Sequence, residues 1–386
     1  MPAPVDLIYL APGLGTGGTE RHLAWLLPAL QKSGLRLEVW NTGEEGDAEK
    51  RLRQSGVTVR RRRAPVSLRQ VGRLAALTAG LARQRPRLVH SYLYAHHWLD
   101  AVACRLAGTT YVGSRRNLAH WRQGPVLARE RWRDRVSAVI IANSAAAAAV
   151  AVTEGADPGR LRVIPNGVPL PSWAEHAWTD HEDWMARRRD ARDALGLPDD
   201  ARVVGAVMSL KPIKDPVTLV KGFAVRAGLR PGDRLVFMGE GPLAPELRSL
   251  AGSLGVAEQL VLAGRRAEPL ELLAALDLFC LPSHSEGCSN AILEAMAAAL
   301  PVVATDAGGG NHEAVVAGET GRLVPAGDST LLALALDDLL ANPDAARRLG
   351  QAGRRRARER FSLDAMVQQH VDLYAEVMAG SRSRVA

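Results

Sequence analysis

Short apolar runs alternate with longer amphipathic segments along the whole chain. In the first of these units, residues 5–43, an apolar strand is followed by a glycine loop, an amphipathic helix and a second strand. The helix has one face built from residues at helical spacing, and Gly34 ends it. That face consists of His22, Trp25, Leu26, Ala29 and Leu30. Alternation of this kind predicts parallel sheets with helices on both faces, which is an α/β fold.

The alternation begins again near residue 202, so the chain is predicted to contain two Rossmann-like domains. Between the two halves, a stretch rich in Pro and Gly at 165–171 precedes a polar segment with several tryptophans. We expect a first domain at 1–170, a linker and connecting helix at 171–200, and a second domain at 201–361.

Length and composition fit two sizeable hydrophobic cores, because the chain has 386 residues and 47% of them are hydrophobic. The sequence has no apolar run of about twenty residues, and its N-terminus passes into a strand without an export sequence. We therefore expect a cytoplasmic protein. Cys104, Cys280 and Cys288 lack the spacing of a disulfide framework or a metal site, so buried or loop thiols are expected.

The most informative stretch is residues 283–310, where a turn-rich loop leads into an apolar helix. Ser289 and Asn290 are good N-cap residues, and they place the helix start between Glu286 and Glu294. The first N–H groups of a helix and the positive end of its dipole favour an anion such as a diphosphate. The two carboxylates can accept hydrogen bonds from hydroxyls, so the junction suits a sugar nucleotide.

This stretch resembles the Glu-x7-Glu element of the retaining family-4 glycosyltransferases, which have the GT-B fold of two Rossmann-like domains facing each other across a cleft. Other motifs follow in the order of that family: GGTER at 17–21, IANS at 141–144, IPNGV at 164–168, KPIKD at 211–215, GEGP at 239–242 and TGRLVPAGD at 320–328. The resemblance implies that a sugar is transferred, with retention, from a nucleotide diphosphate sugar to a sugar or lipid-linked acceptor. A UDP-sugar is favoured over a GDP-sugar. A last helix at 362–380 is expected to pack back on the first domain.

The resemblance also implies the donor site. Lys214 and the backbone of Gly287, Cys288, Ser289 and Asn290 would hold the diphosphate. Glu286 would orient the sugar hydroxyls, and Glu294 the ribose. No metal and no cofactor are expected, since these positive groups can stabilise the leaving diphosphate.

The position of the family's usual arginine is Ser209 here, and Lys211 lies two residues further on. A lysine does not reproduce a bidentate guanidinium contact, so Lys211 is either a diphosphate ligand or a solvated loop residue.

The glycine loop after the first strand has its own alternatives. Gly13, Gly15 and Gly18 satisfy the dinucleotide fingerprint G-x-G-x-x-G, but the acidic residue expected at the end of the second strand is absent. In the resembled family, the loop approaches the donor's phosphates, which assigns Gly17 and Gly18 to donor binding. A purely conformational turn and dinucleotide binding are the other readings.

Candidates for the acceptor side lie in the first half. Many family members place a histidine at the end of a strand such as TTYVGS, and this position corresponds here to Arg115 or Arg116. Either arginine would act as a charged donor or lie at a solvated strand end, and His120 is a weaker candidate. A metal site at His90, His96 and His97 is disfavoured, because adjacent histidines on a helix point about 100° apart.

Charge is concentrated in residues 1–172, which carry 25 Lys and Arg against 12 Asp and Glu, whereas the remainder carries 24 against 29. The run Arg60–Arg63 and a predicted helix at 68–83 are either a solvated basic face or a surface that docks on an anionic membrane on its cytoplasmic side. Nucleic acid is not expected as a partner, since the arginines are not interleaved with aromatic residues.

A glycosyltransferase of cell-envelope polysaccharide or glycolipid synthesis is the function expected. A non-hydrolysing UDP-sugar epimerase of the same fold is the alternative, and a sugar-nucleotide binding protein without turnover is a third reading.

Overall fold

A computed structural model of the protein describes residues 5–15, 17–61, 69–92, 97–116, 118, 123–226 and 228–382. The strands are β1 Leu7–Ala11, β2 Leu37–Asn41, β3 Thr58–Arg61, β4 Leu88–Ser91, β5 Thr110–Arg115, β6 Val139–Ala142, β7 Leu161–Val163, β8 Val203–Val207, β9 Arg234–Met238, β10 Leu260–Gly264, β11 Leu278–Leu281, β12 Val302–Asp306 and β13 Arg322–Pro325. The helices are α1 Gly18–Lys32, α2 Asp47–Gln54, α3 Arg69–Gln84, α4 His97–Leu106, α5 Gly124–Val136, α6 Ala145–Thr153, α7 Glu182–Leu195, α8 Pro216–Ala224, α9 Ala244–Ser253, α10 Pro269–Leu272, α11 Asn290–Ala297, α12 Gly310–Ala314, α13 Ser329–Ala341, α14 Pro343–Arg360 and α15 Leu363–Arg382.

The chain forms two units, and the first combines the residues up to Gly167 with the segment from Leu363 onward. Its parallel sheet has the strand order β3-β2-β1-β4-β5-β6-β7. In the centre, Leu7 of β1 lies opposite Leu37 of β2 and Leu88 of β4. All five residues of β1 are buried, as expected for a parallel strand covered on both faces.

The last helix, α15, belongs to the first unit and packs on α1. Its buried side chains join the same core cluster as those of α1 and β1: Met366, Val367, Leu373, Tyr374 and Met378. The hydroxyl of Tyr374 also lies 2.5 Å from that of Tyr9 on β1. Both apolar burial and a buried hydrogen bond therefore hold α15 to this sheet.

The second unit runs from Val168 to Ser362, and its parallel sheet has the order β10-β9-β8-β11-β12-β13. Residues 171–200, where the sequence places a linker and connecting helix, lie within this unit as a 3-10 turn (Ser172–His176) followed by α7. Three tryptophans pack there, with the ring centroids of Trp173 and Trp178 each within 5.8 Å of Trp184.

Strand order reverses direction once in each sheet, between β1 and β4 and between β8 and β11. Open α/β sheets bind ligands at such points, beyond the carboxyl ends of the strands. The loops that follow these four strands are therefore the places to look for a site. The prediction of two Rossmann-like α/β units is confirmed. Among the helices in the described part of the chain, none is long and apolar enough to cross a bilayer.

Candidate functional site

Two loops meet where the strand order of the second sheet reverses. The loop after β8 continues into a 3-10 turn at Pro212–Lys214, and the loop after β11 leads to α11. The backbone N–H of His284 donates to the carbonyl of Ile213 at 2.9 Å, and His284 Nε2 lies 3.2 Å from Asp215 Oδ2. These contacts hold together, at the carboxyl edge of the sheet, two segments that are about seventy residues apart in the chain.

Within this edge, Lys214 Nζ lies 2.5 Å from Glu286 Oε1. The lysine side chain is 26% exposed and that of the glutamate 9%. A partly buried pair of opposite charges is screened less by solvent than a surface pair. The two residues that the sequence assigns to the diphosphate and to the sugar hydroxyls are therefore adjacent, and they contact each other.

The backbone at Glu286 is fixed by the loop after β12. The N–H of Gly310 lies 3.3 Å from the carbonyl of Glu286, which accepts its hydrogen bond. A Cβ at position 310 would lie 1.8 Å from the carbonyl oxygen of Gly287. Only glycine allows this close approach, so the glycine run after β12 serves to hold Glu286 and Gly287 in place.

A second close approach holds the loop after β8. A Cβ at Gly239 would lie 1.8 Å from the carbonyl oxygen of Met208, the residue before Ser209. Ser209 is half-buried and its carbonyl accepts from the N–H of Lys211 at 2.8 Å, while the side chain of Lys211 is exposed. The GEGP motif thus supports the loop after β8. Lys211 can still be either a diphosphate ligand or a solvated loop residue.

The helix after Glu286 begins as the sequence indicates, with Ser289 at the N-cap and Asn290 as the first helical residue. The Ser289 hydroxyl makes no capping bond to the helix, and Cys288 is half-buried. Glu294, one turn into the helix, is completely enclosed by protein. A ribose can reach this carboxylate only if neighbouring side chains move.

The first unit has its own polar cluster, which sequence reasoning found only in part. The guanidinium of Arg116, just after β5, lies 4.0 Å above the ring of Tyr92 and donates to Asn166 Oδ1 at 2.7 Å. The Tyr92 hydroxyl is 2.6 Å from His22 Nδ1. Tyr92, Arg116 and Asn166 each follow the carboxyl end of a parallel strand, β4, β5 or β7. Their position after the ends of parallel strands, and not their residue type, is the sequence signal that could have pointed to these three residues as candidates.

Three buried histidines, His22, His90 and His370, lie in this cluster or next to it. Burial, with Arg116, His370 and Arg21 nearby, holds the pKa of His22 well below its usual value. Burial, His370 and Arg116 do the same to the pKa of His90. Burial lowers the pKa of His370 to about 4. These rings are therefore neutral at physiological pH.

The contacts of His90 account for its burial. It bonds to the Tyr374 hydroxyl at 2.8 Å and to Ser114 Oγ at 2.7 Å, which is a structural role. His96, the side chain of His97 and His120 lie outside the described residues.

Arg115 does not fit the acceptor-side role. Its side chain is 1% exposed, and its guanidinium is paired with Asp134 of α5 and with Glu154, 2.6 Å away, just after α6. Side chains alternate between the faces of a strand, so Arg115 points into the helix layer while Arg116 lies at the strand end. The prediction that Arg115 acts on the acceptor side is therefore corrected, and Arg116 stays the predicted residue of the pair.

The glycine loop after β1 packs against the start of α2. The N–H of Ala48 donates to the carbonyl of Gly15 at 3.1 Å. Gly17 is the N-cap of α1, with extended backbone, and Gly18 is its first residue. The contact with α2 supports a conformational role for the loop, and it leaves the helix start at Gly17 and Gly18 as the part that can approach a phosphate.

The basic run Arg60–Arg63 is partly neutralised. Arg60 pairs with Glu38 at 2.7 Å, and Arg61 pairs with Glu45 and Glu49. The rest of the run lies outside the described residues, as does Leu68 at the start of the predicted basic helix. The paired arginines favour a solvated face over a membrane-docking surface at this place.

Family models match both units of the chain. Residues 16–171 match the model described as Glycosyltransferase Family 4, and residues 187–356 match Glycosyl transferases group 1. A D-inositol 3-phosphate glycosyltransferase of Stackebrandtia nassauensis is 31% identical over 374 residues, which cover 87% of this chain and 82% of that one. A protein of the same name from Acidothermus cellulolyticus is 30% identical, with 96% and 88% covered.

Among solved structures, Anabaena Alr3699/HepE in complex with UDP and glucose superposes with a TM-score of 0.83 over 96% of this chain and 99% of that one, at 22% identity. The lipopolysaccharide outer core galactosyltransferase WaaB has a TM-score of 0.72 over 96% and 99%, at 15% identity. Both likenesses concern the fold. Together with the family matches, they show that the chain belongs to the family-4 glycosyltransferases and is a glycosyltransferase of the GT-B fold.

Proposed function

We propose that this glycosyltransferase transfers a hexosyl group from a UDP-sugar to an acceptor hydroxyl with retention of configuration. The observation that carries the proposal is the contact of Lys214 with Glu286 beside the start of α11. A cation, a helix start and a carboxylate at a switch point are what a diphosphate and a sugar require. HepE, of the same fold, is known in complexes with UDP and with UDP-glucose, which supports uracil over guanine as the base.

In the proposed reaction, the bond between the anomeric carbon and the diphosphate oxygen breaks while the acceptor oxygen bonds to that carbon from the same face. Lys214 and the N–H groups at Ser289 and Asn290 stabilise the charge that develops on the diphosphate. The departing phosphate takes the proton of the acceptor hydroxyl, so no side-chain base is needed. Glu286 orients the sugar, and no metal is required.

The acceptor is proposed to bind in the first unit at the cluster of Arg116, Tyr92 and Asn166. A half-buried guanidinium held over an aromatic ring suits an anionic or hydroxyl-rich group. The names of the curated relatives make inositol 3-phosphate one acceptor to test. Precursors of envelope polysaccharides and glycolipids on the cytoplasmic face are the others.

A ligand screen followed by turnover tests this function. UDP-, GDP-, dTDP- and ADP-sugars are added singly while thermal unfolding is followed, because a ligand at a hundred times its Kd stabilises the fold by about 2.7 kcal/mol. The stabilising donor is then incubated with and without acceptors. Release of UDP that depends on the acceptor supports transfer. Conversion of the donor alone into its epimer supports the epimerase, and binding without turnover supports a binding protein.

A further inference from the structure

Two histidines and an aspartate converge beside α7, outside the residues proposed to hold the donor. His176 ends the 3-10 turn before the helix, His181 is the N-cap of α7, and Asp183 is in its first turn. One ligand atom from each side chain lies within 4.8 Å of the other two. Imidazole nitrogens with a carboxylate oxygen form a donor set that prefers zinc and its first-row neighbours to magnesium or calcium.

The contacts of His181 show what metal binding would displace. Its Nδ1 accepts a hydrogen bond from the backbone N–H of Asp183 at 3.3 Å, so an ion bound at this nitrogen would replace that long bond. The same Nδ1 is 3.9 Å from Asp183 Oδ2. The ring of His176 stacks on that of His181, with centroids 3.6 Å apart and planes within 6°. The two imidazoles are thus parallel neighbours beside the start of α7, with the carboxylate of Asp183 close to both.

The distances between the ligand atoms show how far the three side chains would have to move to coordinate one ion. Zinc bonds nitrogen and oxygen at about 2.0–2.2 Å, which puts two ligand atoms of a tetrahedral ion roughly 3.4 Å apart. Closure therefore needs movements on the order of 1 Å and the rotation of one imidazole, because an ion cannot lie in the planes of two parallel rings. The side chains of His181 and Asp183 are 45% and 72% exposed, so these movements meet little packing.

We propose that His176, His181 and Asp183 bind one zinc-like divalent ion, with water completing the coordination. Asp180 and Glu182 in the same segment add negative charge, which concentrates cations there. Glu175 lies 3.6 Å from Arg354 and is engaged with that guanidinium instead.

Such an ion would close the turn between His176 and His181. That turn contains Trp178, whose backbone has φ +69°, in the left-handed region that bulky residues rarely adopt. The indole N–H of Trp178 donates to the carbonyl of Ala299 at 2.8 Å, two residues beyond the end of α11. Binding here therefore stabilises a segment that supports the helix whose other end is proposed to hold the diphosphate. The role is structural, and it does not depend on the proposed donor.

Cobalt and zinc titrations test the site on the full chain, purified without a polyhistidine tag and freed of metal. Co2+ gives visible absorption bands when it has nitrogen ligands in a tetrahedral site, and calorimetry gives the Kd and stoichiometry for Zn2+. We expect one ion per chain, and at least about tenfold weaker binding in His176→Gln and in His181→Gln. Zinc should raise the thermal midpoint of the wild type and not that of these variants.

Asp180→Asn is the matched control, since it removes a charge from the same turn but not a ligand. It should retain the cobalt bands and bind zinc nearly as the wild type does. Zinc affinity that is unchanged in the double variant H176Q/H181Q would overturn the proposal, as would absence of cobalt bands in the wild type. Circular dichroism checks that each variant is folded, and Asp183→Asn, which keeps both rings, provides an independent test of the third ligand.

Discussion

The ammonium of Lys214 lies 2.5 Å from Glu286 Oε1, joining the loop after β8 to the loop after β11. Each charge stabilises the other at an edge where both side chains are largely shielded from solvent. A diphosphate bound at α11 would bring negative charge to the same ammonium. The ammonium that positions the Glu286 carboxylate for the sugar is therefore the same one that is proposed to bind the diphosphate. The two roles of Lys214 are coupled.

Lys214→Ala should lower kcat at saturating donor by about 10² to 10³, the usual effect of removing one preorganised group that stabilises developing charge. Lys221→Ala, which removes an exposed lysine of α8, is the control and should leave kcat unchanged. Steady-state rates and thermal midpoints are measured on both. If the kcat of the Lys214 variant equals that of the wild type, other residues stabilise the charge on the leaving diphosphate.

Glu294→Gln keeps the shape of a completely buried side chain but removes its charge. If Glu294 accepts hydrogen bonds from the ribose, affinity for UDP should fall by about 1.5–3 kcal/mol, the range for a hydrogen bond to a charged group. Calorimetry with UDP and with UDP-sugar measures it. An unchanged Kd with an altered thermal midpoint would leave Glu294 as a residue of the helix core.

Arg116→Gln should raise the KM for the acceptor while the Kd for UDP stays unchanged, because Arg116 belongs to the first unit and UDP is proposed to bind the second. Arg115→Gln should behave differently. It removes the guanidinium paired with Glu154 and one of the two that contact Asp134, the other being that of Arg133, so it should destabilise the fold by up to about 3–5 kcal/mol. Acceptor kinetics and chemical denaturation of both variants separate the roles. The same acceptor KM in Arg116→Gln and wild type would exclude that cluster from acceptor binding.

Much of the fold could be predicted from the sequence, because buried parallel strands read as apolar runs and the helices between them as amphipathic segments. The start of α11 followed from Ser289 and Asn290. The contact of Glu286 with Lys214 could not be predicted from the sequence, because it depends on β8 and β11 being neighbours in the sheet.

The acceptor side shows the same limit. Choosing between Arg115 and Arg116 requires knowing which face of β5 each side chain occupies, and a shift of one residue reverses that choice. The carboxylates that bury Arg115 come from α5 and from the end of α6, so only tertiary packing reveals them. The histidine and aspartate group at 176–183 likewise depends on the turn before α7.

Acid should destabilise the first unit through its buried histidines. His22, His90 and His370 have lowered pKa values in the fold, and an unfolded chain takes up protons on histidine near its ordinary pKa of about 6.5. Stability is therefore fully present above that pH and is lost as pH falls toward the folded pKa values.

Each histidine that stays neutral while its unfolded counterpart is charged contributes a loss of about 1.4 kcal/mol per pH unit. Denaturant midpoints measured between pH 7.5 and about 5 test this expectation. His370→Gln removes one such group and should flatten the slope. A midpoint that does not change over this range would contradict the buried, neutral state of the three rings.

Chelation should separate the chemistry from the proposed metal group at α7. If Lys214 and the N–H groups at the start of α11 carry the leaving-group charge, EDTA leaves kcat intact at temperatures where the protein is folded. EDTA should still lower the thermal midpoint of zinc-loaded wild type, because removing a ligand of the folded state removes its linkage stabilisation. In His181→Gln the midpoint should not respond. Loss of turnover in EDTA, in both proteins and reversed by Mg2+ or Mn2+, would instead place a cation on the diphosphate and overturn the metal-independent mechanism without bearing on the zinc site.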